Sequence, residues 1–105
     1  AMMDGVDFNN QAQAKFDEGN YEEALKLFIK AYKIKEAGFG EDSPCLCLPL
    51  IGLAETYLKL NDIKKAQVKA KKLLKIAQKS KLHEQVNAAN EILQEIKMVI
   101  YNLFL

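Results

Sequence analysis

Gly19-Asn20-Tyr21-Glu22-Glu23-Ala24 and Asn61-Asp62-Ile63-Lys64-Lys65-Ala66, laid over one another at an offset of 42 residues, match turn on turn, apolar on apolar and alanine on alanine. Self-similarity at a fixed spacing of this size is the mark of a repeat architecture, in which each unit buries its apolar face against its neighbour. After the first copy, Ala24, Leu25, Phe28, Ala31 and Tyr32 recur three or four residues apart. Glu22, Glu23, Lys26, Lys30 and Lys33 fill the other face, so the segment reads as an amphipathic helix of about four turns. It ends near Ala37-Gly38, where glycine can take the left-handed conformation that closes a helix. A loop follows to Ser43-Pro44, a cap and a first-turn proline for the next helix.

That next helix is expected over Pro44 to Leu60, with a small kink at Pro49. Asn61-Asp62 turns the chain, and Ile63 to Ser80 returns as a helix with Ala66, Ala70, Leu73, Leu74 and Ala77 on its buried side. A last helix is expected from near Lys81, because residues 82–105 contain neither Gly nor Pro. The fold class is therefore all-α, built from antiparallel helix hairpins stacked as a short solenoid with a long C-terminal capping helix. Residues 1–5 read as a cloning scar and disordered start, 6–80 as two hairpins, and 81–105 as a capping and self-association helix.

The inventory excludes more than it assigns. The chain has 105 residues, of which half are apolar and 28% charged. Fifteen lysines, no arginine and 14 acids leave a formal charge of +1. A nucleic-acid binder would show a stronger field, and a membrane span would need about 20 apolar residues in a row, so neither partner is expected. Two cysteines and one histidine are too few for a self-contained structural zinc site. Cys45 and Cys47 sit at a helix start, where amide dipoles favour a thiolate somewhat, but they read as reduced packing residues. His83 has no defensible catalytic neighbour, and no phosphate loop is present. No cofactor, no metal and no enzyme activity are expected. The N-terminus lacks a signal-peptide pattern, and a cytoplasmic location is the expectation.

Ala12, Phe16, Gly19, Tyr21, Ala24, Phe28 and Ala31, followed by Leu53, Ala54, Tyr57, Leu58, Ile63, Ala66, Ala70 and Leu73, resemble the tetratricopeptide repeat, a helix-turn-helix unit. The 42-residue period and the link Phe39-Gly40-Glu41-Asp42-Ser43-Pro44 resemble its longer, kinesin-light-chain-like subtype. The resemblance implies a protein-protein interaction module whose first helices line a concave, peptide-binding surface. It places Asn9, Asn10, Gln13, Phe16, Glu55, Lys59 and Asn87 on that surface, with Phe8, Phe16 and Leu58 as apolar anchors. Asn9 and Asn10 match an asparagine pair of the subtype, for which the second unit substitutes Ile51-Gly52. A carboxylate clamp is not expected, since the chain lacks arginine and puts Asp17 and Glu55 nearby.

Two features fall outside the repeat. Over residues 59–81 nine lysines face only Asp62, while residues 1–25 hold six acids and Lys15. This stripe reads either as a solvated face or as a surface for an acidic partner. The last helix carries a seam of Leu82, Val86, Ala89, Leu93, Ile96, Ile100 and Leu103, yet Ile92, Met98, Val99, Tyr101, Phe104 and Leu105 add apolar surface around it. A polar outer side is what a terminal cap needs. The tail therefore lies in an interface between copies, or meets a further element, or folds back into the concave groove. Self-association through Val99, Ile100, Leu103 and Phe104, as a homodimer or another assembly, is the favoured expectation. The alternative is a purely structural oligomerisation domain with no external peptide.

Overall fold

The computed structural model describes residues 5–105, so the reading of residues 1–4 as a cloning scar lies outside them. Gly5, expected in the disordered start, is instead the buried first residue of a helix. Five helices follow: α1 (Gly5–Asp17), α2 (Tyr21–Phe39), α3 (Cys47–Lys59), α4 (Ile63–Lys79) and α5 (His83–Leu103). A 3-10 turn, Pro44–Leu46, precedes α3.

In α1, α2, α4 and α5 buried residues recur mostly three or four places apart, which marks the side each turns inward, while α3 in the middle is buried on more than one side. In α2 they are Ala24, Phe28 and Ala31; in α4, Ala66, Ala70, Leu73, Ile76 and Ala77; in α5, Ala89, Ile92 and Ile96. The expected single helix from Pro44 divides into the 3-10 turn and α3. Pro49 then lies in the first turn of α3, where a missing N–H breaks no intrahelical bond. The Ser43 side chain caps the 3-10 turn by accepting from the Cys45 N–H at 3.1 Å.

The turns explain how two hairpins become a stack of five helices. Asn20 N–H donates to the Lys15 carbonyl, Asp62 N–H to Tyr57 and Leu82 N–H to Ala77, each at 2.9 Å. The residue before each donor is left-handed: Gly19 at φ 81°, Asn61 at φ 62° and Lys81 at φ 57°. This is one Schellman turn used three times. Its third use was hidden in the sequence because lysine replaces the usual glycine or asparagine. The last helix accordingly starts at His83 and not at Lys81.

Successive helices pack against each other throughout. In addition α1 approaches α3 and α3 approaches α5, whereas the α2 and α4 backbones stay apart. Closer spacing on one side bends the stack, so α1, α3 and α5 form an inner row and α2 and α4 an outer one. The molecule measures 51 × 32 × 19 Å; its thinnest dimension is about two helix diameters, as a two-row layer requires.

The core has two parts. Ala12, Ala24 and Phe28 close around Leu53 of α3, tying the first hairpin to the second. Leu46, Leu50, Ala54, Ala66, Ala70, Leu73, Ile92 and Ile96 join the second hairpin to α5. A β-carbon on Gly52 would lie far inside van der Waals contact with three carbons of the Phe28 ring. Glycine at 52 therefore lets that ring approach α3 this closely. Thr56, fully buried beside it, is satisfied by donating its hydroxyl to the Gly52 carbonyl at 2.6 Å.

Candidate functional site

The inner row of helices makes a crevice of about 250 Å³ lined by Phe16 from α1, by Glu55, Leu58 and Lys59 from α3, and by Glu95 from α5. Phe16 is set by an edge-on contact with Tyr21, ring centroids 5.2 Å apart, across the first turn. Leu58 packs its other side on the second core. Glu55 is half-buried, and its carboxyl pKa is raised, first by burial and then by the charge of Glu95, with Lys59 opposing. The crevice thus joins an apolar wall to two carboxylates and one amine, a surface for polar and ionic contacts around a hydrophobic anchor.

Of the residues expected on the concave surface, the fold brings Phe16, Glu55 and Lys59 together. Asn10, Gln13 and Asn87 are exposed but do not line the crevice. Gln13 donates its amide to Asp17 at 2.9 Å on its own helix. Asn9 is only 4% exposed, and its Oδ1 is buried with no hydrogen-bond partner. It presents almost no surface to a ligand, because it is buried on the same side of α1 as Ala12. Phe8 lies beneath the Lys30 amine, 5.5 Å from the ring centre, and not in the crevice. Glu95 was missed. It is the thirteenth residue of α5, but residues 82–105 hold no glycine turn that would set the repeat register there, so no motif assigns it a face.

The lysine-rich α4 divides by side. Toward α2, the Lys72 amine donates to the Tyr32 hydroxyl at 2.5 Å and lies 3.9 Å from Glu36. Lys69 and Lys72 both sit over the Tyr32 ring. The hydrogen bond to Tyr32 raises the Lys72 pKa, while burial lowers that of Lys69. These lysines hold the outer row together. Lys64, Lys71, Lys75 and Lys79 turn to solvent around exposed Val68.

At the far end, α5 stays helical to Leu103 and does not fold back into the groove. Among the residues expected to self-associate, Ile100 packs on the protein's own core and Val99 is half-buried. Leu103 and Phe104 are 76% and 86% exposed, with Tyr101 and Leu105 beside them. Cys45 and Cys47 are both free thiols. Burial, then the neighbouring Cys45, pushes the Cys47 pKa up, so burial overrides the helix-start preference for a thiolate. Among the described residues no group of three or more His, Cys, Asp or Glu is placed to hold a metal ion. Nor is any helix long and apolar enough to cross a membrane.

The family model described as Tetratricopeptide repeat matches residues 8–79, spanning α1 through α4. No curated protein and no solved structure matches the chain.

Proposed function

This chain belongs to the tetratricopeptide repeat family and is in general terms a protein-protein interaction module; from that premise we propose that it is a non-enzymatic adaptor that binds a peptide or helix of a partner protein along α1, α3 and α5. The observation that carries the reading is the crevice where Phe16, Leu58, Glu55, Lys59 and Glu95 converge from three successive inner helices. An apolar anchor ringed by groups that form ionic contacts is the usual anatomy of a protein-binding patch. Exposed Asn10, Gln13 and Asn87 extend the same row of helices and offer amide donors and acceptors to a bound backbone. The longer, kinesin-light-chain-like subtype is supported by the 42-residue offset that the Gly19 and Asn61 turns keep. A cytoplasmic, reducing setting fits the two free thiols.

Partner capture by the wild type and by Asn10→Ala/Gln13→Ala/Lys59→Ala tests the groove. All three side chains are exposed, so the fold should survive. Loss of the wild-type partners supports the reading; an unchanged partner set refutes it.

A second element of the proposal is self-association through the end of α5, supported by the exposed Tyr101, Leu103, Phe104 and Leu105. Each such side chain buried contributes about 1.5–3 kcal/mol. Sedimentation velocity of the wild type and of Leu103→Ser/Phe104→Ser is the check, because neither side chain supports the protomer's core. A dimer that becomes a monomer is expected, and a wild type that is monomeric at high concentration contradicts it.

A further inference from the structure

The inner-row crevice carries more negative than positive charge. Glu55 from α3 and Glu95 from α5 line the same space, and Lys59 is the one amine lining it. Lys59 is exposed and makes no ion pair with either carboxylate. The upward push on the Glu55 pKa records the cost of holding its charge there, half out of water and near a like charge. Phe16 and Leu58 supply an apolar wall directly beside the acids. At about 250 Å³ the cavity falls below the roughly 300–1,000 Å³ of small-molecule pockets. It suits one long side chain of a docked polypeptide. Lysine and arginine are the side chains that join an apolar stem to a cationic head, so one residue can cover Phe16 and Leu58 and meet both carboxylates.

We propose that this crevice is a subsite for a lysine or arginine side chain, and that the partner segment held by the inner row is basic. The proposal rests on the reading of the inner row as the partner-binding face and specifies its ligand. An acidic segment would set its charge against Glu55 and Glu95, and would be better matched by the outer side of α4, where Lys64, Lys71, Lys75 and Lys79 make no ion pair among the described residues.

The test is a titration of the ¹⁵N-labelled full chain with three capped pentapeptides, Ala-Leu-Lys-Leu-Ala and its versions with glutamine or glutamate at the centre. The lysine peptide is expected to shift the backbone amides of Glu55, Leu58, Lys59 and Glu95, binding at least about fivefold tighter than the glutamine peptide. In Glu55→Gln/Glu95→Gln, a conservative pair outside both cores, this preference should vanish while the spectrum stays dispersed. If the glutamine or glutamate peptide shifts the same amides with equal or higher affinity, the basic-ligand proposal fails and the groove reading survives. If no peptide moves these amides, the groove reading falls with it. Shifts at these amides that grow with protein concentration alone would assign the subsite to a lysine of a second copy and overturn the external basic segment.

Discussion

The two hairpins share a turn and a pattern of buried alanines, yet they differ at the two residues that stand three and two places before the inner alanine. Asn9 and Asn10 precede Ala12, whereas Ile51 and Gly52 precede Ala54. The backbone is the same; the neighbours are not. Over Gly52 lies the Phe28 ring, delivered by the preceding hairpin, and it leaves no room for a β-carbon. Asn10 faces solvent, and Asn9 is turned inward with an unpaired oxygen. A repeat therefore fixes where a residue sits, while the residue chosen depends on what the adjacent unit presses against it. Reading a binding role from the repeat position alone ignores this second influence.

The difference between the hairpins rests first on Phe28. Phe28→Ala should cost about 3–5 kcal/mol, since the ring is fully buried and ties α2 to α3. Gly52→Ala should cost roughly 1–3 kcal/mol by overpacking against the same ring. The informative measurement is the double variant by urea denaturation. If Phe28 is the reason for Gly52, the alanine at 52 adds little once the ring is gone, and the two costs fall short of additivity. Additive costs would mean that Gly52 answers to something else.

Asn9 sharpens the same comparison from the other side. Asn9→Ile, which copies the second hairpin, removes the buried unpaired oxygen and should stabilise the fold by about 1 kcal/mol. For a chain of this size that raises Tm by roughly 4–8 °C. A lowered Tm would show that the amide is held by contacts that isoleucine cannot replace. The smallest effect concerns the third turn. Lys81 adopts the left-handed conformation that Gly19 supplies at the first turn. Lys81→Gly should stabilise by about 0.5 kcal/mol, the relief of left-handed strain less the greater freedom of unfolded glycine. Thermal melts of this variant beside Asn61→Gly should show the larger gain at 81, because asparagine tolerates this region better than lysine.

Much of this architecture is legible in the chain. The spacing of Ala24, Phe28 and Ala31 places α2, and the turn residues Gly19 and Asn61 place both hairpins, because periodicity and left-handed turns are local properties. The Ser43-Pro44 start is legible too, but not the 3-10 geometry of its first turn, nor the late start of α5 at His83, where lysine stands in the left-handed turn position. The site is less legible than the fold. Phe16, Glu55 and Lys59 follow from the repeat register. Glu95 follows only from which side of α5 packs toward α3, and the burial of Asn9 only from helix packing. The lysine stripe also separates only in three dimensions: Tyr32 and Glu36, distant in sequence, draw in Lys69 and Lys72 and leave the remaining face free.

The proposed protein partner lies along α1, α3 and α5, and not along the outer row. Site-specific photocrosslinking in native extract tests it most directly, with a benzophenone side chain placed in turn at Gln13, Lys59, Val68 and Lys75, all of them exposed. The account predicts that one discrete partner is captured from positions 13 and 59 and not from 68 or 75. Capture of that partner only from positions 68 and 75 would move the binding face to α4 and contradict it.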